Sequence, residues 1–262
     1  MNELYYDSRL LLIYLAVKYQ GDIDKIMTEL YLRNTNVPYE DALKAYKSLP
    51  CKTLTFLDYD YPQKLKEVKK PPIVLFYYGD ISLLDKQIFA VVGSRDFSEY
   101  GKKCTEKIIK EILKGRVILS GLARGIDTIA HETAINNGGK TIAVLGSGID
   151  TCYPPENQKL YEEIKKNHLL ISEYPFTVTP DSNHFPMRNR IIVGLSDALY
   201  VPQINTHQSG TMITLNLALT CGREIFVAPH PPGSPTINNQ MINEGAILAD
   251  TGKQILEELK WD

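Results

Sequence analysis

The sequence has no excess of positive charge. It carries 29 Lys and Arg residues against 31 Asp and Glu, for a formal net charge of −2 over 262 residues. A domain that binds duplex DNA commonly has a strongly basic balance or a dense basic patch. Any affinity for nucleic acid therefore has to come from a few local cations and from backbone N–H groups. The charge balance alone is more typical of a metabolic enzyme.

Cysteines are few, and long apolar runs are absent. The four cysteines show neither metal-ligand spacing nor the density of a disulfide framework. The start MNELYYDSRL has no basic segment followed by an apolar one, and no apolar run reaches the roughly 18 residues of a membrane helix. We expect a cytoplasmic protein with reduced thiols, no metal, no cofactor and no membrane association.

Recognisable catalytic motifs are lacking as well. The sequence contains no Walker lysine motif, no nucleophile elbow and no zinc motif. The segment VVGSRDFSEYG does not fit the dinucleotide fingerprint G-x-G-x-x-G. These absences argue against a P-loop ATPase and against a standard dinucleotide enzyme, and they favour a protein that is not an enzyme.

The sequence that is present divides into two regions. Residues 1–70 show apolar residues at helical spacing in three stretches and end in a polar, proline-containing linker, which predicts a small helical domain. Residues 71–262 alternate short apolar runs with amphipathic helical stretches, which is typical of a parallel sheet covered on both faces. We predict an α/β fold, an extended Rossmann-like doubly wound and mostly parallel sheet, whose strands are IVLFYY, FAVVGS, VILSG, TIAVLG, LLISEY, ALYVPQ and EIFVAP.

Small-residue turns follow several of these strands. Ligands in such sheets bind beyond the carboxyl ends of the strands, where glycines let N–H groups approach a phosphate and helix N-termini add positive potential. One such turn is usually only a tight connection, but four at one edge favour an anion site. The pattern leaves open whether the phosphate belongs to a nucleotide, a cofactor or a polynucleotide. The turns contain Gly93, Ser94 and Arg95; Gly121, Leu122, Ala123, Arg124, Gly125 and Asp127; Gly146, Ser147 and Gly148; and Ser209, Gly210 and Thr211.

Two further stretches carry polar side chains that need an explanation. Arg188, Asn189 and Arg190 lie near the start of a predicted helix, where the macrodipole disfavours cations. They bind an anion, or Arg190 pairs with Asp197 or Glu173. Asp127 and His131 are one helical turn apart. That spacing suits acid–base chemistry, but a buried structural hydrogen bond is the simpler interpretation.

The order and spacing of five sequence blocks resemble one known family. The blocks VVGSR, SGLARGIDTIAHETAINNGGKTIAVLGSGIDTCYPPEN, ISEYPF, HFPMRNRIIVGLS and SGTMIT occur between about Ala90 and Ala228. They resemble those of the DNA-processing protein A (DprA/Smf) family. The resemblance implies an extended Rossmann fold, single-stranded DNA bound in a pocket at the strand ends, homodimerisation and loading of the RecA recombinase onto DNA during recombination or natural transformation.

The resemblance also assigns residues to the DNA site. Gly93, Ser94 and Arg95 match the family's phosphate-binding GSR, and the Gly121–Asp127 loop, the RNR triplet and Ser209–Thr211 match further blocks. Pro155 stands where many relatives have a lysine, and Lys159 lies about one helical turn later. Because the sequence ends at Trp261-Asp262, we expect the winged-helix-like C-terminal domain of some relatives to be missing. The remaining residues assigned in this way are Lys140, Asn157 and Lys159.

The sequence also fits two alternative functions. A nucleotide-processing phosphoribohydrolase has a related fold, but its PGGxGTxxE motif supplies a glutamate that SGTMIT lacks. A sensor of a small nucleotide would use the same turns. The dimer surface is predicted near the C-terminus, unless its apolar residues merely pack onto the last strand; they are Ile237, Met241, Ile242, Ile247 and Leu248.

Overall fold

A computed structural model describes residues 8–176 and 178–261. The absence of a signal peptide was inferred largely from residues 1–7, which lie outside the described residues. Within the described residues, nine strands form one sheet in the order β1-β2-β6-β5-β4-β3-β7-β8-β9. The strands are β1 (Lys52–Thr55), β2 (Val74–Gly79), β3 (Gln87–Val91), β4 (Arg116–Ser120), β5 (Lys140–Leu145), β6 (Leu169–Ser172), β7 (Ala198–Val201), β8 (Glu224–Val227) and β9 (Ile247–Leu248).

Helices cover both faces of this sheet. The N-terminal helices precede β1, and most of the others connect successive strands. The helices are α1 (Ser8–Lys18), α2 (Ile23–Tyr31), α3 (Tyr39–Lys47), α4 (Gln63–Lys66), α5 (Glu99–Ile112), α6 (Ile126–Asn136), α7 (Gln158–Asn167), α8 (His184–Leu195), α9 (Gly210–Thr220), α10 (Asn238–Asn243) and α11 (Gly252–Glu258).

The strand order is that of a doubly wound sheet. Strands β6, β5, β4, β3, β7, β8 and β9 are parallel, whereas β2 runs antiparallel to both β1 and β6. From β3 the chain winds outward through β4, β5 and β6, and it then crosses to β7 on the other side of β3. The predicted Rossmann-like, mostly parallel fold is confirmed, and all seven predicted strands are present.

Alternating side chains bury the two faces of the sheet. Residues such as Ala90 and Leu119 pack on one face with α8 and α9, while their neighbours Phe89 and Ile118 pack on the other face with α5 and α6. Strands that are buried on both faces need a continuous apolar sequence. This is why the sequence predicts these strands. Among the described residues no helix has both the length and the apolar character needed to cross a bilayer.

The predicted domain boundary near residue 70 stays a prediction, and the structure shows how the region before it meets the sheet. Three helices lie where the spacing predicts them, but Lys52–Thr55 forms strand β1 and joins the sheet. Its four residues are too few for a periodic pattern, and β9 with two residues was missed for the same reason. The N-terminal helices α1 and α2 also share a core with α7 and with β2, β5 and β6.

The apolar residues near the C-terminus are mostly used within the chain. Met241 is buried, and Ile237 and Ile242 pack against the sheet core. Leu248 keeps 43% of its surface exposed. Ile237 and Ile242 are half-buried and keep part of their surface accessible, so the predicted dimer surface near the C-terminus stays a prediction.

Candidate functional site

A cleft of about 580 Å³ opens at the carboxyl ends of β3 and β7. This is the point where the strand order reverses, and it is where open α/β sheets bind their ligands. We call it the main cleft. It is lined by residues 92–96, Ala123, Asp127, residues of the segment 182–192 that includes the start of α8, Asn205, and residues 209–211 with Thr214.

The loop after β3 brings an arginine to the mouth of this cleft. At Gly93 a Cβ atom would lie 2.8 Å from Ile126 Cγ1 and 2.9 Å from the Gln203 carbonyl, so the close approach requires glycine. The Ser94 N–H donates to Gln203 O at 3.0 Å, and its hydroxyl accepts from Asn205 N at 3.1 Å. These bonds tie the loops after β3 and β7 together. They leave the Arg95 side chain exposed, with no ion pair to any described residue.

A second arginine lies buried under the cleft floor. Arg188 is 5% exposed, and its guanidinium donates to the carbonyls of Gly121 and Val144 and to Asn189 Oδ1. A Cβ on Gly121 would lie 2.2 Å from Arg188 Nη1, so glycine at that turn makes room for the guanidinium. Burial lowers the pKa of the Arg188 guanidinium below its ordinary value, and the neighbouring Asp127 carboxylate opposes that shift. Arg188 thus places a positive charge beneath the cleft.

Two N–H groups of the glycine loop 121–127 donate hydrogen bonds to a side chain of the same segment. Asp127, in the first turn of α6, accepts from the N–H groups of Gly121 at 3.2 Å and Ala123 at 3.3 Å. Burial raises the pKa of Asp127, whereas the Arg188 charge and these N–H groups lower it. The carboxylate therefore occupies the position that an external anion would take at this helix N-terminus. Asp127 acts as a structural acceptor here.

The N-terminus of α9 has no such carboxylate. Ser209 caps the helix, with its hydroxyl accepting from Met212 N at 3.3 Å, and the first turn of α9 contains no acidic residue. The first N–H groups of a helix have no partner within the helix, and its N-terminus carries about half a positive charge. Gly210 has open space where a Cβ would stand. Together with Arg95 and Arg188, this end of α9 makes the main cleft favourable for an anion.

The turn after β5 has a different role from the one its glycines suggest. A Cβ on Gly146 would lie 2.7 Å from the Phe185 ring, and one on Gly148 would lie 1.9 Å from the Phe176 carbonyl. The Ser147 hydroxyl is buried and donates to Thr151 O at 2.8 Å. Glycine is thus required here by neighbouring side chains and backbone, independently of any phosphate.

Some predicted site residues lie away from the main cleft. Arg190 forms a buried ion pair with Glu173, with Nη2 at 2.7 Å from both carboxylate oxygens, so the ion-pair alternative is confirmed for it. The RNR triplet also begins four residues after the start of α8. Lys140 stands at the amino end of β5, at the opposite edge of the sheet, and its ammonium donates to Asn167 O.

Of three more predicted residues, Arg124 and Asn157 line a second cleft beside α5 and α6, and Lys159 lies outside both clefts. Arg124 is exposed and pairs with Glu156. The Asn157 amide donates to Leu122 O and Thr128 Oγ1, which fixes the loop. Lys159 lies in α7 and lines neither cleft. The structure therefore concentrates the predicted binding residues on Gly93–Arg95, Ala123, Arg188, Asn189 and Ser209–Thr211.

The sequence interpretation missed several residues of the main cleft. Phe185, Asn205 and Asp96 all line it. An aromatic residue next to a proline and two basic residues in HFPMR was a usable signal for Phe185. Asn205 had no comparable signal, because its position depends on how the loop after β7 folds back onto Ser94.

Asp127 and His131 do not form an acid–base pair, because each side chain bonds to other groups. His131 is buried, and its Nδ1 lies 2.7 Å from Thr141 Oγ1. The Thr141 hydroxyl donates to Ile118 O, so His131 Nδ1 is the donor to Thr141. Burial lowers the pKa of His131 to about 3, which keeps it neutral. Within the described part of the chain, no three His, Cys, Asp or Glu side chains gather to ligate a metal ion.

The sequence profile of a known family covers most of the chain. The family is described as DNA recombination-mediator protein A, and its profile matches residues 52–260. The chain belongs to this family. DNA processing protein DprA from Streptococcus pneumoniae is 41% identical over 220 residues, which is 83% of this chain and 77% of that protein. DprA from Bacillus subtilis is 41% identical over 221 residues, 83% of this chain and 74% of that protein.

Solved structures of the recombination-mediator family have the same fold. DprA from Streptococcus pneumoniae superposes with a TM-score of 0.80 at 34% identity, covering 95% of each chain. DprA from Helicobacter pylori superposes with a TM-score of 0.73 at 32% identity, covering 81% of this chain and 96% of that one. The Helicobacter pylori structure is described as showing a single-stranded DNA binding mode.

Proposed function

We propose that this chain binds single-stranded DNA by its phosphates in the main cleft. The observation that carries the proposal is the convergence of an unpaired exposed arginine, Arg95, with the buried Arg188 and the open N-terminus of α9. Arginine binds phosphate in a bidentate manner, and helix N-termini favour anions. Membership in the recombination-mediator family and the single-strand binding of the Helicobacter pylori relative support the same ligand.

The geometry favours a single strand over a duplex. The cleft is bounded by loops, and duplex recognition by base edges needs a helix or β-ribbon that fits the major groove. Phosphate contacts carry affinity without reading sequence. With few cations in the cleft, few counterions are released, so we expect a shallow dependence of affinity on salt.

We further propose that the chain acts without catalysis, as a homodimer that loads RecA onto single-stranded DNA. Two linked clefts hold one strand at two points and raise affinity through effective concentration. At the start of α9, SGTMIT has Thr214 where the phosphoribohydrolase motif GTxxE has its glutamate. This favours a binding protein over a phosphoribohydrolase that uses a free carboxylate.

The binding proposal is tested by fluorescence anisotropy with a single strand and a blunt duplex of equal length at several salt concentrations. Arg95→Ala should weaken single-strand binding by on the order of 1.5–3 kcal/mol, the range for hydrogen bonds to charged groups. Lys114→Ala is the control, because Lys114 is exposed and precedes β4 at the opposite edge of the sheet. Equal or tighter binding to the duplex, or an unchanged affinity of the Arg95 variant, would contradict the proposal.

The loading proposal needs a separate assay. RecA-dependent ATP turnover on strands coated with single-strand-binding protein should rise when the wild-type chain is added. The Arg95→Ala variant should stimulate less. No stimulation by the wild type would remove the loading role and leave DNA binding intact. Light scattering at micromolar concentration tests the homodimer, and a monomer-only result would reject it.

A further inference from the structure

The side chain of Gln203 is buried against the loop that carries Arg95, although Gln203 does not line the main cleft. Gln203 follows β7 and is 4% exposed. Its backbone carbonyl accepts from Ser94 N, so the residue lies directly against the loop after β3. A buried amide side chain costs free energy unless it is hydrogen-bonded. The hydrogen-bond partners of the Gln203 amide therefore show which part of the molecule it stabilises.

Hydrogen bonds fix the orientation of the Gln203 amide and of its neighbour Asn205. The Ser98 N–H and hydroxyl both donate to Gln203 Oε1, at 2.9 and 2.7 Å. Because a backbone N–H only donates, the amide nitrogen of Gln203 points the other way, where it donates to Asn205 Oδ1 at 2.8 Å. Asn205 Nδ2 in turn donates to Asp96 O at 2.8 Å. A single chain of donors thus connects Ser98 to Asp96 through the two amides.

The loop after β7 holds the residues on both sides of Arg95. On one side, Ser94 N donates to Gln203 O at 3.0 Å, and Ser94 Oγ accepts from Asn205 N at 3.1 Å. On the other side, the carbonyl of Asp96 accepts from the Asn205 amide. The Arg95 side chain itself is exposed. The backbone of Arg95 is therefore fixed, while its guanidinium remains accessible to a phosphate.

The first turn of α5 leaves room for the Gln203 side chain. Ser98 caps α5, and its hydroxyl accepts from Gly101 N at 3.1 Å. A Cβ on Gly101 would lie 2.3 Å from Gln203 Oε1. Glycine is unfavourable inside a helix. Its presence at position 101 is explained by the space that the Gln203 amide occupies.

We propose that Gln203 is a positioning residue for single-strand binding. By bonding to Ser98 and Asn205, it fixes the backbone of Arg95 in the place where the guanidinium contacts a phosphate. The inference rests on the proposed function, because Arg95 is the residue that contacts the strand. Gln203 does not line the main cleft, so its effect on binding passes through the loop. A strand that binds a preordered Arg95 avoids the entropy cost of fixing that backbone.

Gln203→Met tests this role by fluorescence anisotropy with a homothymidine strand, because methionine has a similar length but makes neither hydrogen bond of the amide. The variant should bind about 5- to 30-fold more weakly, the equivalent of ordering the backbone of one residue again on binding. Gly101→Ala should also weaken binding with little loss of stability, because its Cβ displaces the end of a flexible side chain. Gln158→Met is the matched control, since Gln158 is exposed, donates to Glu162 on α7 and lies outside the main cleft.

A double-mutant cycle with Arg95→Ala separates positioning from a general loss of folding. If Gln203 acts through Arg95, adding Gln203→Met to the Arg95 variant should change affinity by less than about twofold. Losses that multiply in the double variant would overturn the positioning role. By NMR relaxation, the Arg95 amide should have an order parameter of about 0.85 in the wild type and below about 0.6 in Gln203→Met. An Arg95 amide that stays rigid in Gln203→Met would also overturn the proposal.

The positioning role and the binding proposal fail in different ways. If Arg95→Ala weakens binding and Gln203→Met does not, the positioning role is rejected and phosphate binding at Arg95 stands. If Arg95→Ala binds the strand as the wild type does, phosphate binding at Arg95 and the positioning role are both rejected.

Discussion

Among the helix N-termini that line the main cleft, those of α6 and α9 differ in what their first N–H groups bind. The first turn of α6 contains Asp127, which accepts the N–H groups of Gly121 and Ala123. The first turn of α9 contains no acid, and Gly210 faces open space. Both follow small-residue turns, yet only the end of α9 has room for an external anion. A glycine turn before a helix therefore does not by itself indicate a phosphate site, since an acid in the first turn can fill it.

The largest effect on stability should come from removing the carboxylate at the N-terminus of α6. Asp127→Ala removes the acceptor of two N–H groups and the negative charge near Arg188. Each unsatisfied buried donor costs about 1–3 kcal/mol, so we expect the free energy of unfolding to fall by on the order of 2–5 kcal/mol. Urea denaturation measures this change.

Asp127→Asn divides the two contributions. Both N–H groups donate to the same oxygen, Oδ2, so an asparagine oxygen at that place keeps both hydrogen bonds and removes the charge. A loss of stability much smaller than that of the alanine variant would mean that the N–H groups dominate. An equal loss would mean that the charge opposite Arg188 dominates. No loss in either variant would contradict the structural role of Asp127.

Gly121, before α6, and Gly210, at the start of α9, allow the same comparison of the two helix N-termini. Gly121→Ala drives a Cβ to 2.2 Å from the Arg188 guanidinium, whereas Gly210→Ala meets nothing within 4 Å. Overpacking a buried position costs about 1–3 kcal/mol, so Gly121→Ala should lower the thermal midpoint clearly. Gly210→Ala should leave the thermal midpoint unchanged or slightly raised. If the Gly210 N–H contacts a phosphate, the added methyl group should obstruct that contact and weaken single-strand binding. Equal melting of the two variants would show that the Gly121 turn relaxes.

How far the sequence could predict this molecule depends on the length of each signal. Strands β2 to β8 are continuous apolar runs and were predicted, whereas β1 and β9 are too short to show a pattern. For the site, the GSR loop and Ser209–Thr211 line the cleft as predicted. Gly121 and Gly146 are also required by Arg188 and Phe185, which come from a distant segment. The sequence does not show such long-range contacts.

The pH dependence of the unfolding free energy tests whether His131 of α6 is buried in its neutral form. His131 is buried with a pKa of about 3, against 6.5 for the free side chain. Between pH 6.5 and about 3 the unfolded chain binds a proton that the folded chain does not, so stability is lost as the pH falls through this window. The loss is up to about 1.4 kcal/mol per pH unit. His131→Gln should reduce the slope of unfolding free energy against pH, and an unchanged slope would show that His131 is not the responsible group.

The smallest effect should come from giving α9 the feature that α6 already has. Ser209→Asp keeps a capping oxygen and adds a carboxylate at the open N-terminus. A negative charge there stabilises a helix by about 0.3–1 kcal/mol, so the thermal midpoint should hold or rise. The same charge competes with a phosphate, and single-strand affinity should fall by about two- to fivefold, the equivalent of that energy. Ser209→Asn is the matched control, because it caps the helix without charge and should bind as the wild type does. Equal affinities of the Asp and Asn variants at low salt would mean that the N-terminus of α9 does not contact the strand, and that Arg95 and Arg188 hold it without help from the helix.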